Sequence, residues 1–306
     1  MEVTSMQTRI LLTGASGLLG SKIVQMSRER NLTIYPTYNE HPAQGENKLK
    51  VDLQNPQQIN DSLQSLKPEY VIHCAALTDV DKCEINQELA QKINIEGTRN
   101  IIKASEKAGA FLIFVSTDYV FQGDKGAYKE EDETNPINYY GYTKLQAEIL
   151  VRNMMSNWAI VRPSVIYGSV PAAGKVNFAL WLINKLQQRE PVKIITDQWV
   201  SPTLNTNLGE MILEIIQRRL SGVYHLAGAT QINRYEFSKK IAQCFSLDEK
   251  LILPALSKDM NWLAKRPLNT TLNTQKASHT LGAKPMVIQE ALTQLKTEID
   301  SKVDDE

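Results

Sequence analysis

The segment Thr13-Gly14-Ala15-Ser16-Gly17-Leu18-Leu19-Gly20 constrains this chain more than any other, because it joins the first apolar run (RILL, from Arg9) to the first helical pattern. Three glycines at that junction suit a strand–turn–helix unit. Gly14 makes the tight turn, Gly17 lets the backbone approach a pyrophosphate, and Gly20 allows close packing of helix on strand. The helix start then offers free N–H groups and a partial positive charge to an anion. Glycine also collects in ordinary turns. The placement therefore carries the reading, not the triplet.

The rest of the first half keeps the same alternation. LTIYPT from Leu32, LKVD from Leu49, YVIHCA from Tyr70, FLIFVS from Phe111 and WAIVRP from Trp158 are short, almost wholly apolar and rich in β-branched residues. Strands buried on both faces of a parallel sheet have this character. Between them Leu18–Arg30, Pro56–Leu66 and Ala90–Ala108 carry helical spacing. The pattern predicts an α/β fold with a doubly wound parallel sheet, a Rossmann arrangement. After Tyr167-Gly168 the pattern changes: VPAAGKV reads as an exposed loop, a helix starts near Asn177, and VKIITD from Val192 is a strand. Thr206–Leu220 and GVYHLAG from Gly222 are expected to return to the main sheet. This places residues 1–168 and about 200–229 in the dinucleotide-binding domain. Residues about 169–199 and 230–306 form a smaller, discontinuous C-terminal substrate lobe, ending in a frayed VDDE tail.

Composition narrows the function. Lys plus Arg and Asp plus Glu are 34 each, so the formal net charge is zero; a nucleic-acid surface would need a basic excess. No apolar run approaches the ~20 residues that span a bilayer. The polar MEVTSMQTR start reads as no secretory signal, which points to a cytoplasmic protein. Cys74, Cys83 and Cys244 are scattered and give neither a disulfide framework nor a zinc pattern. The four histidines (His41, His73, His225, His279) have no metal spacing, and His73 and His225 fall in strand patterns as core residues. No metal site is expected.

The second strand should end on the group that reads the adenosine ribose. An acid there would favour NAD, yet Thr37 and Tyr38 stand at the expected terminus. NADP(H) is therefore favoured. NAD(H) stays open, because no Arg is present for a 2′-phosphate and Glu40 lies two residues beyond. Asp52-Leu53 after the third strand can flank the adenine, Asp52 being equally readable as a helix cap. Ala75-Ala76 leave room for the ribose and diphosphate.

Tyr140 and Lys144, at i and i+4 in YGYTK, share one helix face. A Tyr is a poor acid or base near neutrality, with a pKa of about 10, and a neighbouring ammonium should draw that pKa down. Y-x-x-x-K is common alone; here it follows a fifth strand ending in Ser116-Thr117-Asp118. Strand C-termini are where such sheets hold ligands.

These residues resemble the extended short-chain dehydrogenase/reductases, and within them the dTDP-4-dehydrorhamnose reductase family. HCAALTDVDKCE (His73–Glu84), VSTDYVFQG (Val115–Gly123), NYYGYTKLQAE (Asn138–Glu148), RPSVIYG, DQWVSPT, GVYHLAG and RPLNTTL follow that family's order over nearly the whole chain. The resemblance implies Thr117, Tyr140 and Lys144 as catalytic residues. It implies Gly14, Ser16, Gly17, Leu18, Leu19, Asp52, Leu53, Ala75, Ala76, Tyr140 and Lys144 around the cofactor, and Thr78, Ser116, Thr117, Asn177 and Arg266 around the substrate. Asn94 matches a helical Asn used structurally and in proton relay. The implied reaction is NAD(P)H-dependent reduction of the 4-keto group of a nucleotide-diphosphate deoxysugar, most simply dTDP-4-dehydro-L-rhamnose, by a possible homodimer. One departure is Val165, where the family commonly has Trp. That change is shared with relatives resembling the regulatory β subunit of methionine adenosyltransferase, which bind NADP and a partner protein; a sugar-nucleotide epimerase is a third reading. Arg266 reads equally as a diphosphate fork or an ion pair, and Asp197-Gln198 as cleft residues or a turn cap. Tyr119 and Phe121 read as packing, and Trp181, Trp199 and Trp262 as lobe or dimer surface.

Overall fold

The computed structural model describes residues 8–30, 32–173 and 175–303; the acidic residues after Val303 lie outside them. β1 (Arg9–Thr13), α1 (Leu18–Glu29), β2 (Thr33–Tyr38), β3 (Leu49–Lys50), α2 (Pro56–Leu66) and β4 (Tyr70–His73) open the chain. Then come α3 (Val80–Ile85), α4 (Gln87–Ala90), a π-helical turn (Gln91–Glu96), α5 (Gly97–Ala108), β5 (Phe111–Val115), α6 (Tyr139–Met154), β6 (Trp158–Arg162) and β7 (Ile166–Tyr167). The remainder comprises α7 (Phe178–Gln187), β8 (Val192–Ile195), β9 (Trp199–Val200), β10 (Thr203–Leu204), α8 (Asn205–Arg218), β11 (Gly222–His225) and β12 (Ile232–Asn233). It ends with α9 (Arg234–Cys244), β13 (Ile252–Ala255), α10 (Gln275–Thr280) and α11 (Ile288–Val303).

Seven strands form one sheet in the order β3-β2-β1-β4-β5-β6-β11, and every pairing in it is parallel. The continuous apolar runs explain this: all five residues of β5 are buried, and Ile10, Leu12, Ile72, Leu112 and Ile113 are fully excluded from water. Each such side chain contributes about 1.5–3 kcal/mol, so the strands settle where both faces are covered. α1 and α8 cover one face, with Ile23, Leu208 and Ile212; α2, α5 and α6 cover the other, with Ile59, Ile101 and Ala147. The expected return of Gly222 to the sheet is observed beside β6.

The strand order reverses between β1 and β4. That is the switch point, and it opens a crevice at the strand C-termini. The predicted Ala90–Ala108 helix is continuous, with its first part wound as the π turn. There the Asn94 side chain reaches out to Leu77 instead of lying along the helix, and Gly97 admits Leu53, which a β-carbon would meet at 2.9 Å.

A second core gathers Tyr167, Leu182, Leu186, Phe237, Ile241 and Leu292, beside the small β8–β13 and β9–β12 pairs. The boundary expected at residue 230 is interrupted. Ala277 and Leu281 pack into the main-sheet core, and Leu272 joins Val120, Phe121 and Tyr128. One carboxylate ties the two cores: Glu298 of α11 accepts from Lys22 of α1 (3.0 Å), Ser169 (2.8 Å) and Thr206 of α8 (2.6 Å). Burial alone would raise its pKa, but the Thr206, Lys22 and Ser169 donors hold it below the usual carboxylate range.

Candidate active site

The crevice floor is built by close backbone approach. Gly14 has φ +69°, and a β-carbon on it would stand 2.7 Å from the Ala75 nitrogen; one on Gly20 would stand 2.2 Å from the Gly14 carbonyl oxygen. Both positions exclude side chains. Gly17 caps α1 with no side-chain oxygen on the first-turn N–H groups, which leaves them for a ligand. The Ser16 carbonyl accepts from Ala173 (3.1 Å), so the VPAAGKV segment, exposed as expected at Pro171, Ala173, Lys175 and Val176, touches the glycine turn at Ala173. Leu18 is held by the Asn205 amide at 3.0 Å. Beneath lies a buried chain: Thr13 Oγ1 bonds His73 Nδ1 at 2.6 Å, and His73 Nε2 bonds Thr98 Oγ1 at 3.0 Å. Burial lowers the His73 pKa to about 3, so this imidazole is neutral and structural, as its strand pattern predicts.

β2 ends at Tyr38, with the exposed Asn39 and Glu40 beyond it. Asp52 closes a local turn on the Gln54 amide (2.9 Å), and Leu53 is fixed by Asn100 (3.0 Å). Cys74 is packed against the main core, and burial pushes its thiol up to about 12; it is an inert filler.

α6 begins beside the end of β5. Asn138 caps it, accepting from Gly141 at 2.9 Å and donating to the Lys265 carbonyl. Gly141 allows the approach, since a β-carbon there would lie 2.2 Å from the Tyr119 oxygen. Tyr140 is consequently buried at 9% exposure, beside Thr117 and edge-on to Tyr119, with ring centroids 6.1 Å apart. Asn94 clamps this corner: it accepts from Leu77 (2.7 Å) and donates to Leu77 (3.1 Å) and Thr143 (3.0 Å). Ser116 Oγ, at the end of β5, is buried with no hydrogen-bond partner, an orphan that a ligand can satisfy.

The expected lowering of the Tyr140 pKa by Lys144 is not observed. Burial raises the Tyr140 pKa above the ordinary phenol value, opposed by the Thr117 bond. The Lys144 ammonium instead donates to the Val115 carbonyl at 2.8 Å and sits 4.1 Å above the Phe114 ring. Burial lowers its pKa to about 8, while Glu148 opposes that shift. Desolvation of the phenolate outweighs the neighbouring charge.

Tyr119 packs, as expected, in a small cluster with Cys83, Ala90 and Tyr140, and Phe121 is core, stacked on Tyr128 at 4.2 Å. Arg266 forms an ion pair with Asp81 at 3.0 Å and lies 5.4 Å over Trp262. Both Asn177 amide groups are spent locally: the oxygen caps α7 through Leu180, and the nitrogen donates to the Gly168 carbonyl. Thr78 is exposed before α3. Val165 has φ +39°, a strained conformation for a β-branched residue that costs about 1–3 kcal/mol; its carbonyl accepts from Thr203.

Two features escaped the sequence. Asp118 accepts from Thr270 (2.6 Å), Ser164 (2.8 Å) and Thr117 (3.1 Å), which orients the Thr117 hydroxyl. Arg234 bonds Gln198 and interacts electrostatically with Tyr119 and Asp118. The only local signal for it was a basic residue just after a capping Asn. Among the described residues no cluster of His, Cys, Asp and Glu could hold a metal ion, and no helix is long and apolar enough to cross a membrane.

A glycine turn at the sheet's switch point, with a Tyr–Lys helix beside the fifth strand's end, defines the short-chain dehydrogenase/reductase class. The model of the RmlD substrate binding domain matches residues 8–301, and the chain belongs to that family. A probable low-salt glycan biosynthesis reductase of Haloferax volcanii is 31% identical over 93% of this chain and 96% of its own. The methionine adenosyltransferase 2 β subunit of Xenopus tropicalis is 31% identical over 90% of this chain and 83% of its own. A crystal structure of dTDP-4-dehydrorhamnose reductase from Bacillus anthracis in complex with NADP superposes with TM-score 0.87 at 32% identity, covering 96% of this chain and 100% of that one.

Proposed function

We propose that this chain reduces the 4-keto group of a nucleotide-linked deoxysugar with NADPH, dTDP-4-dehydro-L-rhamnose being the simplest substrate. The observation that carries the reading is the buried Tyr140 phenol beside Thr117, on one helix with the buried Lys144 whose amine reaches the end of β5, in a fold whose glycine turn excludes side chains. Gly14, Ser16, Gly17, Leu18 and Leu19 would hold the pyrophosphate, Asp52 and Leu53 the adenine, and Ala75 and Ala76 the inner ribose. Lys144 would leave the Val115 carbonyl to anchor the nicotinamide ribose. When bound, the reduced nicotinamide supplies the hydride. Reduction consumes a proton, and burial keeps Tyr140 in its protonated form near neutrality, so the phenol starts as the acid the reaction needs. Thr117 would turn its hydroxyl from Asp118 to the carbonyl oxygen to which Tyr140 gives its proton; Ser116 Oγ, buried without a partner, would supply a further donor. Thr78, Asn177 and Arg266 border the substrate side.

The test is loss of NADPH absorbance with dTDP-4-dehydro-L-rhamnose. Tight coenzyme binding without consumption would end the reductase reading. It would favour an epimerase, or a regulatory role like that named for the Xenopus tropicalis relative, with which the Val165 substitution agrees.

A pH dependence follows. Lys144 is charged below about pH 8 and neutral above it. NADPH affinity should therefore fall as pH rises from 7 to 9, measured by fluorescence titration. A flat profile would remove Lys144 from the coenzyme site.

A further inference from the structure

Arg234, the first residue of α9, is fixed on three sides. Its backbone nitrogen donates to the Gln198 carbonyl at 3.0 Å, and its Nε donates to Gln198 Oε1 at 3.1 Å. Its guanidinium lies 5.0 Å from the centroid of the Phe178 ring. Gln198 is itself immobilised, 3% exposed and donating to the Pro267 carbonyl at 3.2 Å. Tyr119 connects this cation to the reacting corner, interacting electrostatically with Arg234 and lying edge-on to Tyr140.

What the guanidinium lacks is a counter-charge. Among the described residues no carboxylate lies within ion-pair distance of Arg234. Its neighbour Arg266 takes Asp81 and adds like charge. Asp118 is close enough to interact electrostatically, but its oxygens are occupied by three hydroxyls. A half-buried, oriented guanidinium with no ion-pair partner is placed to take up an anion. Its fixed fork suits two oxygens of a phosphate or carboxylate.

We infer that Arg234 is the anion receptor of the cleft, binding a phosphate or carboxylate oxygen of the same ligand whose carbonyl faces Tyr140. The inference rests on the nucleotide-sugar reading above, and it names the residue that selects for the ligand's charge.

Calorimetric titration of native protein, Arg234→Met and Arg234→Lys with dTDP, thymidine, dTDP-glucose and dTDP-glucuronate tests it. Melting temperature and NADPH affinity report whether each variant is folded. If the anion is the diphosphate, Arg234→Met binds dTDP and dTDP-glucose about 10- to 100-fold more weakly, the range of a charge-assisted bond. Thymidine affinity is then unchanged and Arg234→Lys recovers part of the loss. If the anion is a sugar carboxylate, dTDP affinity holds and only the preference for dTDP-glucuronate over dTDP-glucose is lost. Equal binding of every ligand by native protein and folded variants overturns the role of Arg234 alone. Failure of the native protein to bind any of the four overturns this role and the nucleotide-sugar reading together.

Discussion

Tyr140→Phe is expected to lower turnover of the keto sugar by about 10²–10⁴-fold, the range for losing a positioned general acid. NADPH affinity and melting temperature should stay as in the native protein. The substitution removes one oxygen and keeps the ring, so the edge contact with Tyr119 at 6.1 Å and the burial of the site persist. Its partner Thr117 still has Asp118 at 3.1 Å and is not orphaned. The loss should appear in kcat and kcat/KM together, the signature of an interaction made in the transition state. Steady-state kinetics of a variant that retains native turnover would show that another group delivers the proton. If the protein acted as a regulatory subunit, the phenol would be dispensable altogether.

Glu148→Ala is expected to cost about 3–5 kcal/mol of folding stability, read from urea unfolding, because it strands a buried cation. Arg162 and Glu148 are both wholly buried. Their fork is bidentate, with Nε to Oε1 at 2.9 Å and Nη2 to Oε2 at 2.6 Å. The guanidinium also lies 5.0 Å over Phe121, which secures the end of β6 against α6. Replacing both partners by apolar residues of similar volume, as in Arg162→Met with Glu148→Leu, should recover most of the loss. A change below about 1 kcal/mol in the single variant would place the pair with exposed ion pairs. Glu148 also props up the charge of Lys144, one turn earlier, so its removal should move the alkaline limb of NADPH binding to lower pH.

The sheet could be read from the sequence because buried parallel strands leave little but apolar, β-branched residues in runs such as FLIFV, and because Gly14 and Gly20 stand where no side chain fits. Contacts assembled from distant segments were not legible in that way. Thr270 reaches Asp118 across 152 residues, and the packing of Ala277 into the main core has no periodic signal. Spacing placed Tyr140 and Lys144 on one helix face but not the direction of the amine, which follows the Val115 carbonyl and the Phe114 ring. Arg234 gave no hint of its surroundings, since Gln198 and Phe178 lie far off in the chain and only the fold shows that no acid accompanies it.

The link between Lys22 and Glu298 spans 276 residues. The first helix therefore reaches its final electrostatic surroundings only once α11 has docked on it, so the start of the chain depends for its setting on a partner far along the sequence.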